Sequence, residues 1–217
     1  MKDTKFKKYI IEHSDFYRNF FWCLLICYIL FNHIIMLTII PSGSMEPTLK
    51  VGYDYCVNRL SYISSVPERK DIIVFSSTDT NNKKYLVKRC MGLPGEILEI
   101  KNNKLFINNK EISEPYLKEE YSEHFGPYYI PKKNDTVSIK NNEAFINGYY
   151  VGTSSFVDNY CIKKDGKYIV VDNCYFMLGD NVNNSYDSRY WENQFLKEKN
   201  IVGKLIFQIF PIIHKIN

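Results

Sequence analysis

Histidine is scarce: four occur in 217 residues. His13 and His33 lie before and within the one long apolar run, and His124 and His214 have no catalytic-looking neighbours. The commonest general base is thus missing from every promising stretch, and proton transfer would need another group. Closely spaced Cys/His sets are absent as well, so no metal site is supported, and no cofactor is expected. The lysines are scattered and the net charge is only +4, so no basic stripe suited to nucleic acid emerges. An apolar fraction of 45% and a charged fraction of 24% sit near globular averages, which argues against wholesale disorder. No long 3.6-residue period follows residue 41, which removes a helical domain from consideration.

Short β runs separated by turn residues take its place, with abundant Tyr (18) and Phe (14) that favour a β-rich domain and suit a protein lying against a bilayer. Strands are predicted at Asp54–Asn58, Asp71–Phe75, Tyr85–Met91, Ile97–Ile100, Leu105–Ile107, Thr136–Ile139, Ala144–Ile146, Tyr168–Val171, Cys174–Leu178 and Ile201–Phe210. One rhythm occurs twice. Ile100-Lys101-Asn102-Asn103 leads into Phe106-Ile107-Asn108-Asn109, and Ile139-Lys140-Asn141-Asn142 leads into Phe145-Ile146-Asn147-Gly148. Asn tolerates positive φ, so these read as two similar hairpins. Glu114–Lys133, rich in Tyr, Glu, Lys and Pro, has no period.

From Phe20 to Ile40 the chain is apolar apart from Asn32, His33 and Thr38. About twenty such residues span a bilayer as a helix. The run is too long for a cleaved signal peptide, and no small-x-small site follows it. Lys2, Lys5, Lys7, Lys8 and Arg18 precede it, so residues 1–19 are expected to be cytoplasmic, 20–40 a transmembrane anchor, and 41–217 outside the cytoplasm. Of the cysteines, Cys23 and Cys27 read as small apolar residues of the anchor and Cys56 and Cys90 as core. Cys161 and Cys174 flank a Lys/Asp/Gly turn, and whether they pair stays open.

Directly after the apolar run comes Pro41-Ser42-Gly43-Ser44-Met45-Glu46-Pro47-Thr48-Leu49, a stiff turn that presents serine hydroxyls. Serine attacks a carbonyl only when a base takes its proton. Lysine can serve if burial strips its ammonium of water. Lys88 stands in the apolar run Leu86-Val87-Lys88-Arg89-Cys90-Met91; strand neighbours point to opposite faces, so one of Lys88 and Arg89 is expected to face inward. A third block, Gly179-Asp180-Asn181-Val182-Asn183-Asn184-Ser185-Tyr186-Asp187-Ser188-Arg189-Tyr190-Trp191, completes the set.

In their order and content these blocks, together with Arg69-Lys70-Asp71-Ile72-Ile73-Val74-Phe75, resemble bacterial signal peptidase I over about Ile40 to Pro211. The resemblance implies a membrane-anchored serine endopeptidase that removes signal peptides from exported preproteins. Its fold would be a transmembrane helix followed by an all-β catalytic domain, with the catalytic lobe at about 41–104 and 168–217 and a smaller β lobe inserted at about 105–167. Ser44 would be the nucleophile and Lys88 the base, with the Ser42 hydroxyl and Ser44 amide binding the oxyanion. Ser185 would hold Lys88 by a hydrogen bond, and Asp187 and Arg189 would form a buried supporting pair. Ile40, Met45, Leu49, Leu86 and Val87 would line two shallow apolar pockets for alanine-sized side chains one and three residues before the cut. The partners implied are preprotein signal peptides and the lipid bilayer, and a monomer is expected.

Three departures stand out. Lys70 occupies a usual glycine position, Val182-Asn183 a common Arg-Asp pair, and Glu192 a position where glycine often follows the Trp. A specialised conjugative-transfer or organelle-type processing peptidase is the alternative within the class. An inactive membrane-anchored binding module is the alternative outside it, disfavoured because Ser44 and Lys88 are both present. A soluble self-cleaving repressor is disfavoured by the apolar run and the lack of DNA-binding helices.

Overall fold

The computed structural model describes residues 14–29, 33–77 and 85–216. The chain divides into two units, Met1–Met36 and Leu37–Asn217. The first contains helix α1, Ser14–Ile29, with no buried residue. Sixteen residues rise only about 24 Å, and among the described residues no helix is long and apolar enough to cross a membrane. The expected anchor is corrected at its far end: Ile35–Ile39 is a strand, β1, rather than helix. Its β-branched residues suit a pleated strand as well as they suit lipid, and an apolar run alone does not separate the two. Residues 1–13, with the N-terminal lysines, and residues 30–32 of the apolar run lie outside the described residues.

The second unit is mainly β. In chain order its further strands are β2 (Asp54–Asn58), β3 (Ile72–Ser76), β4 (Tyr85–Gly92), β5 (Ile97–Lys101), β6 (Lys104–Ile107), β7 (Lys110–Glu111) and β8 (Phe125–Tyr129). Then come β9 (Thr136–Lys140), β10 (Glu143–Ile146), β11 (Tyr149–Thr153), the short helix α2 (Ser155–Tyr160), β12 (Cys161–Lys164), β13 (Lys167–Val170) and β14 (Cys174–Leu178). The last are β15 (Leu196–Lys197), β16 (Ile201–Phe210) and β17 (His214–Lys215). One sheet runs β1-β2-β16-β3-β4-β14-β15, with β17 on β16. A second is β11-β10-β9-β13-β12 and a third β7-β6-β5-β8.

Two-residue turns organise the smaller sheets. Asn102-Asn103, Asn108-Asn109, Asn141-Asn142, Asn147-Gly148 and Asp165-Gly166 all have positive φ at both positions, as a type I′ turn requires. The two expected hairpins are therefore two three-stranded meanders, β5-β6-β7 and β9-β10-β11, each built on a pair of such turns. Sheet membership moves the lobe boundaries. The large sheet uses residues up to 92 and from 174, so the expected boundary at 104 would divide the β5–β6 hairpin. The lobes also share a core, in which Met91, Phe176, Leu178 and Phe195 pack with Leu98, Ile146, Val157 and Tyr160. Cys161 and Cys174 are both free thiols.

Candidate active site

The serine segment leaves the sheet at Ile40, whose amide donates to the Tyr53 carbonyl (3.3 Å) and whose carbonyl accepts from Gly52 (2.9 Å). Pro41 has no N–H and cannot continue the ladder. Ser42 is extended (φ −136°, ψ 153°), and Gly43–Met45 forms one 3-10 turn. Met45 and Leu49, both fully buried, anchor this turn in the core, and the Leu49 amide donates to the Met45 carbonyl at 2.9 Å. Asn181 fastens it from the far side: its side-chain amide donates to the Gly43 carbonyl (3.0 Å) and its backbone amide to the Ser44 carbonyl (3.1 Å). The serine backbone is thereby fixed by a loop distant in sequence.

Lys88 lies in β4, paired with Ile73 of β3. Its Nζ is 2.5 Å from Ser44 Oγ, and the residue is 5% exposed. Burial lowers its pKa to about 8, opposed by Asp187 and Asp180 and helped by Arg189. A lysine that sheds its proton this readily can accept one from a hydroxyl near neutral pH.

Arg89 is buried too, so the expectation that one of the two basic residues faces inward is corrected: both do. Its guanidinium grips Asp180 bidentately, Nε to Oδ1 at 2.8 Å and Nη2 to Oδ2 at 2.6 Å. Thr48 Oγ1 donates to the same carboxylate at 2.5 Å. The Asp187–Arg189 pair forms as expected, Nε to Oδ1 and Nη2 to Oδ2 both at 2.8 Å. Asp187 also accepts from the Gly179 amide at 2.9 Å, and Arg189 reaches the Val182 carbonyl at 2.9 Å. Gly179 is obligatory. A Cβ there would meet Ser185 Oγ at 2.1 Å and the Ser44 carbonyl oxygen at 2.6 Å.

Ser185 therefore reaches the site, but its Oγ is buried without a hydrogen-bond partner, and the expected bond to Lys88 is not formed in this structure. Ser42 Oγ is 3.5 Å from Ser44 Oγ. Ile40, Met45 and Leu49 form one apolar cluster with Val87 packed on it, whereas Leu86 packs on a different cluster with Ile73, Phe75 and Trp191. Leu86 thus packs apart from the other four residues expected at the pockets, because consecutive strand residues face opposite sides. Lys70 takes φ 75°, a left-handed conformation consistent with glycine being usual there. Asn183 donates to Glu119, so this departure has its own local partner.

Thr48, Asp180 and Asn181 escaped sequence reasoning. One signal did exist: an arginine in an apolar strand requires a buried acid, and the third block offers two, Asp180 and Asp187. His124 meets the Gly126 carbonyl of its own turn, at 3.2 Å.

Comparison with known proteins identifies the family. The family described as "Signal peptidase, peptidase S26" matches residues 14–210. The chain is 32% identical to "Signal peptidase I" of Bacillus caldolyticus, covering 89% of this chain and 91% of that one. It is 31% identical to "Signal peptidase I" of Pseudomonas fluorescens, covering 88% and 70% respectively. Against "Probable signal peptidase I-2" of Synechocystis sp. the identity is 28%, and the match spans 80% of this chain but only 62% of that relative. A crystal structure of a signal peptidase I from Enterococcus faecalis V583 is 28% identical, covers 65% of this chain and 97% of that chain, and has a TM-score of 0.39. With a match reaching from residue 14 to residue 210, the chain belongs to the signal peptidase family, peptidase S26.

Proposed function

We propose that this chain is a serine endopeptidase that removes N-terminal signal peptides from exported preproteins, with Ser44 as nucleophile and Lys88 as general base. The observation that carries the assignment is the 2.5 Å approach of Lys88 Nζ to Ser44 Oγ. In the reactive state the lysine is neutral and the Ser44 hydroxyl donates to its nitrogen. Ser44 Oγ attacks the scissile carbonyl as the proton passes to Lys88. The oxyanion is met by the Ser44 amide and the Ser42 hydroxyl, each such donor being worth about 3 kcal/mol. Lys88 then protonates the departing amine, leaving an acyl ester on Ser44. Water, deprotonated by Lys88, releases the signal peptide.

Ser185, buried beside the Ser44 carbonyl with an unused hydroxyl, holds Lys88 during turnover. Val87, half-buried and backed by the Ile40–Met45–Leu49 core cluster, supplies the apolar wall that admits small side chains before the cut. The apolar run from Phe20 anchors a monomer in the bilayer, with the N-terminal lysines on the cytoplasmic side and the β unit outside.

The test is incubation of the detergent-solubilised protein with preproteins varied at the residue before the cut, with products located by mass spectrometry. Ala and Gly should be cleaved, and Phe and Leu should block. Ser44→Ala and Lys88→Ala should each abolish cleavage, and the double variant should be no worse. Cleavage after basic or large aromatic residues, or substantial activity in either single variant, refutes the assignment.

A further inference from the structure

Glu114 lies in the loop between β7 and β8, far along the chain from both Ser44 and Lys88. Its carboxylate accepts from two tyrosines: Tyr116 Oη at 3.0 Å on Oε1, and Tyr121 Oη at 3.0 Å on Oε1 and 3.1 Å on Oε2. Each tyrosine faces a different buried arginine. The Arg89 guanidinium carbon sits 4.0 Å over the Tyr116 ring. That of Arg189 lies 5.7 Å from the Tyr121 ring, with Phe125 and Tyr190 at 5.8 and 5.1 Å. Arg89 holds Asp180 and Arg189 holds Asp187, the carboxylates whose charges act on Lys88.

We infer that Glu114 is a positioning residue for the Ser44–Lys88 pair, bracing both arginine–aspartate pairs around Lys88 through Tyr116 and Tyr121. The inference rests on the proposed Ser44–Lys88 reading. A carboxylate is an acceptor only, and ionised Glu114 satisfies both hydroxyls at once. A carboxylic acid must itself donate, so protonation breaks this pattern. An anion against the hydroxyl edge also enriches each ring, which strengthens its attraction for the guanidinium over its face.

The surroundings make the brace sensitive to pH. Arg89 and Asp180 face Glu114 from β4 and the loop after β14, and Tyr116 and Tyr121 from its own loop. Lys104 and Glu111 lie across the adjoining groove, with Lys118, Glu119 and Glu120 on the loop. Burial raises the Glu114 carboxyl to about 7, with the two tyrosine hydroxyls and Arg89 opposing and Asp180 adding to the rise. The brace is thus released just below the pH at which Lys88 gains its own proton, and the two losses compound.

The experiment compares pH profiles of kcat and KM for wild type, Glu114→Gln and Tyr121→Phe. Wild-type kcat should fall with a slope steeper than one on a logarithmic scale just below pH 7, reaching about 1.5 where the brace is released. Both variants should lose about tenfold or more in kcat, with KM unchanged, and Glu114→Gln should fall with a slope of one. A second readout needs no activity. The folded pKa of Glu114 lies above the unfolded value of 4.5, so ionising it costs stability as pH rises through this window. The Tm of Glu114→Gln relative to wild type should accordingly rise between about pH 4.5 and 7. Wild-type kcat and slope in Glu114→Gln, a rate loss that only tracks lost folded protein, or a Tm difference flat with pH would each overturn the inference. Residual activity in Ser44→Ala would instead defeat the dyad reading, leaving the Tm result to stand by itself.

Discussion

The protonation of Lys88 offers the sharpest measurement. Burial brings it from 10.5 to about 8. Each pH unit below that point costs a factor of ten in neutral amine, so about one chain in ten is competent at pH 7. Measured as kcat/KM on one preprotein peptide, the rate should rise at least about fivefold from pH 7 to 8 and level off by about pH 9. The same shift has a thermodynamic face. The folded pKa lies below the unfolded one, so between about 8 and 10.5 the unfolded chain binds more protons, and stability rises with pH through that window. Lys88→Met has no such titration. Its advantage over wild type should be constant above pH 10.5, grow by about 3 kcal/mol as pH falls to 8, and stay level below. Denaturant melts of the two proteins at matched pH give this difference, and any lost hydrogen bond enters only as a constant offset. A rate independent of pH between 7 and 8, or a stability difference that does not change between pH 8 and 10.5, refutes the reasoning.

The remaining predictions concern residues around this pair. Ser185 Oγ is buried and unpaired, and such a group costs about 1–3 kcal/mol. Ser185→Ala should therefore raise the midpoint of unfolding while slowing cleavage severely without abolishing it. Ser42→Ala should lower kcat by about 10²–10³ through one lost oxyanion donor, with stability unchanged; wild-type rates in either variant would show that these hydroxyls do not act. Lys70 carries φ 75°, and Lys70→Gly should stabilise by about 1 kcal/mol on relief of that strain. Thermal melts check this, and a lowered Tm would mean that the Lys70 bond to the Ser113 carbonyl at 2.8 Å outweighs the strain.

Local signals carried much of the architecture. Asn102-Asn103, Asn141-Asn142 and their neighbours announce tight turns because few residues tolerate positive φ twice in succession, and the strands beside them follow. Phe125–Tyr129, with glycine and proline inside it, and Tyr149–Thr153, with Gly152, carry the residues that usually end strands and were not legible as β8 and β11. At the site, Ser44 and Lys88 were visible because each sits in a distinctive block. Their supports were not. Asp180 finds Arg89 and Asn181 finds the Gly43 carbonyl only after folding brings separate segments together, and nothing in local periodicity encodes those meetings. The strand at Ile35–Ile39 was hidden for the opposite reason, since an apolar run satisfies a bilayer and a sheet equally well.

The position of β16 has a consequence for how the protein comes into being. In the sheet it lies between β2 and β3, so β2, which follows the serine turn, and β4, which carries Lys88, share a sheet only through a strand made near the end of synthesis. The β5-β6-β7 and β9-β10-β11 meanders pair with their immediate neighbours in sequence and close quickly, whereas β16 must find partners well over a hundred residues away. Closing the large sheet therefore waits on a strand made near the end of synthesis, long after the neighbouring meanders can form.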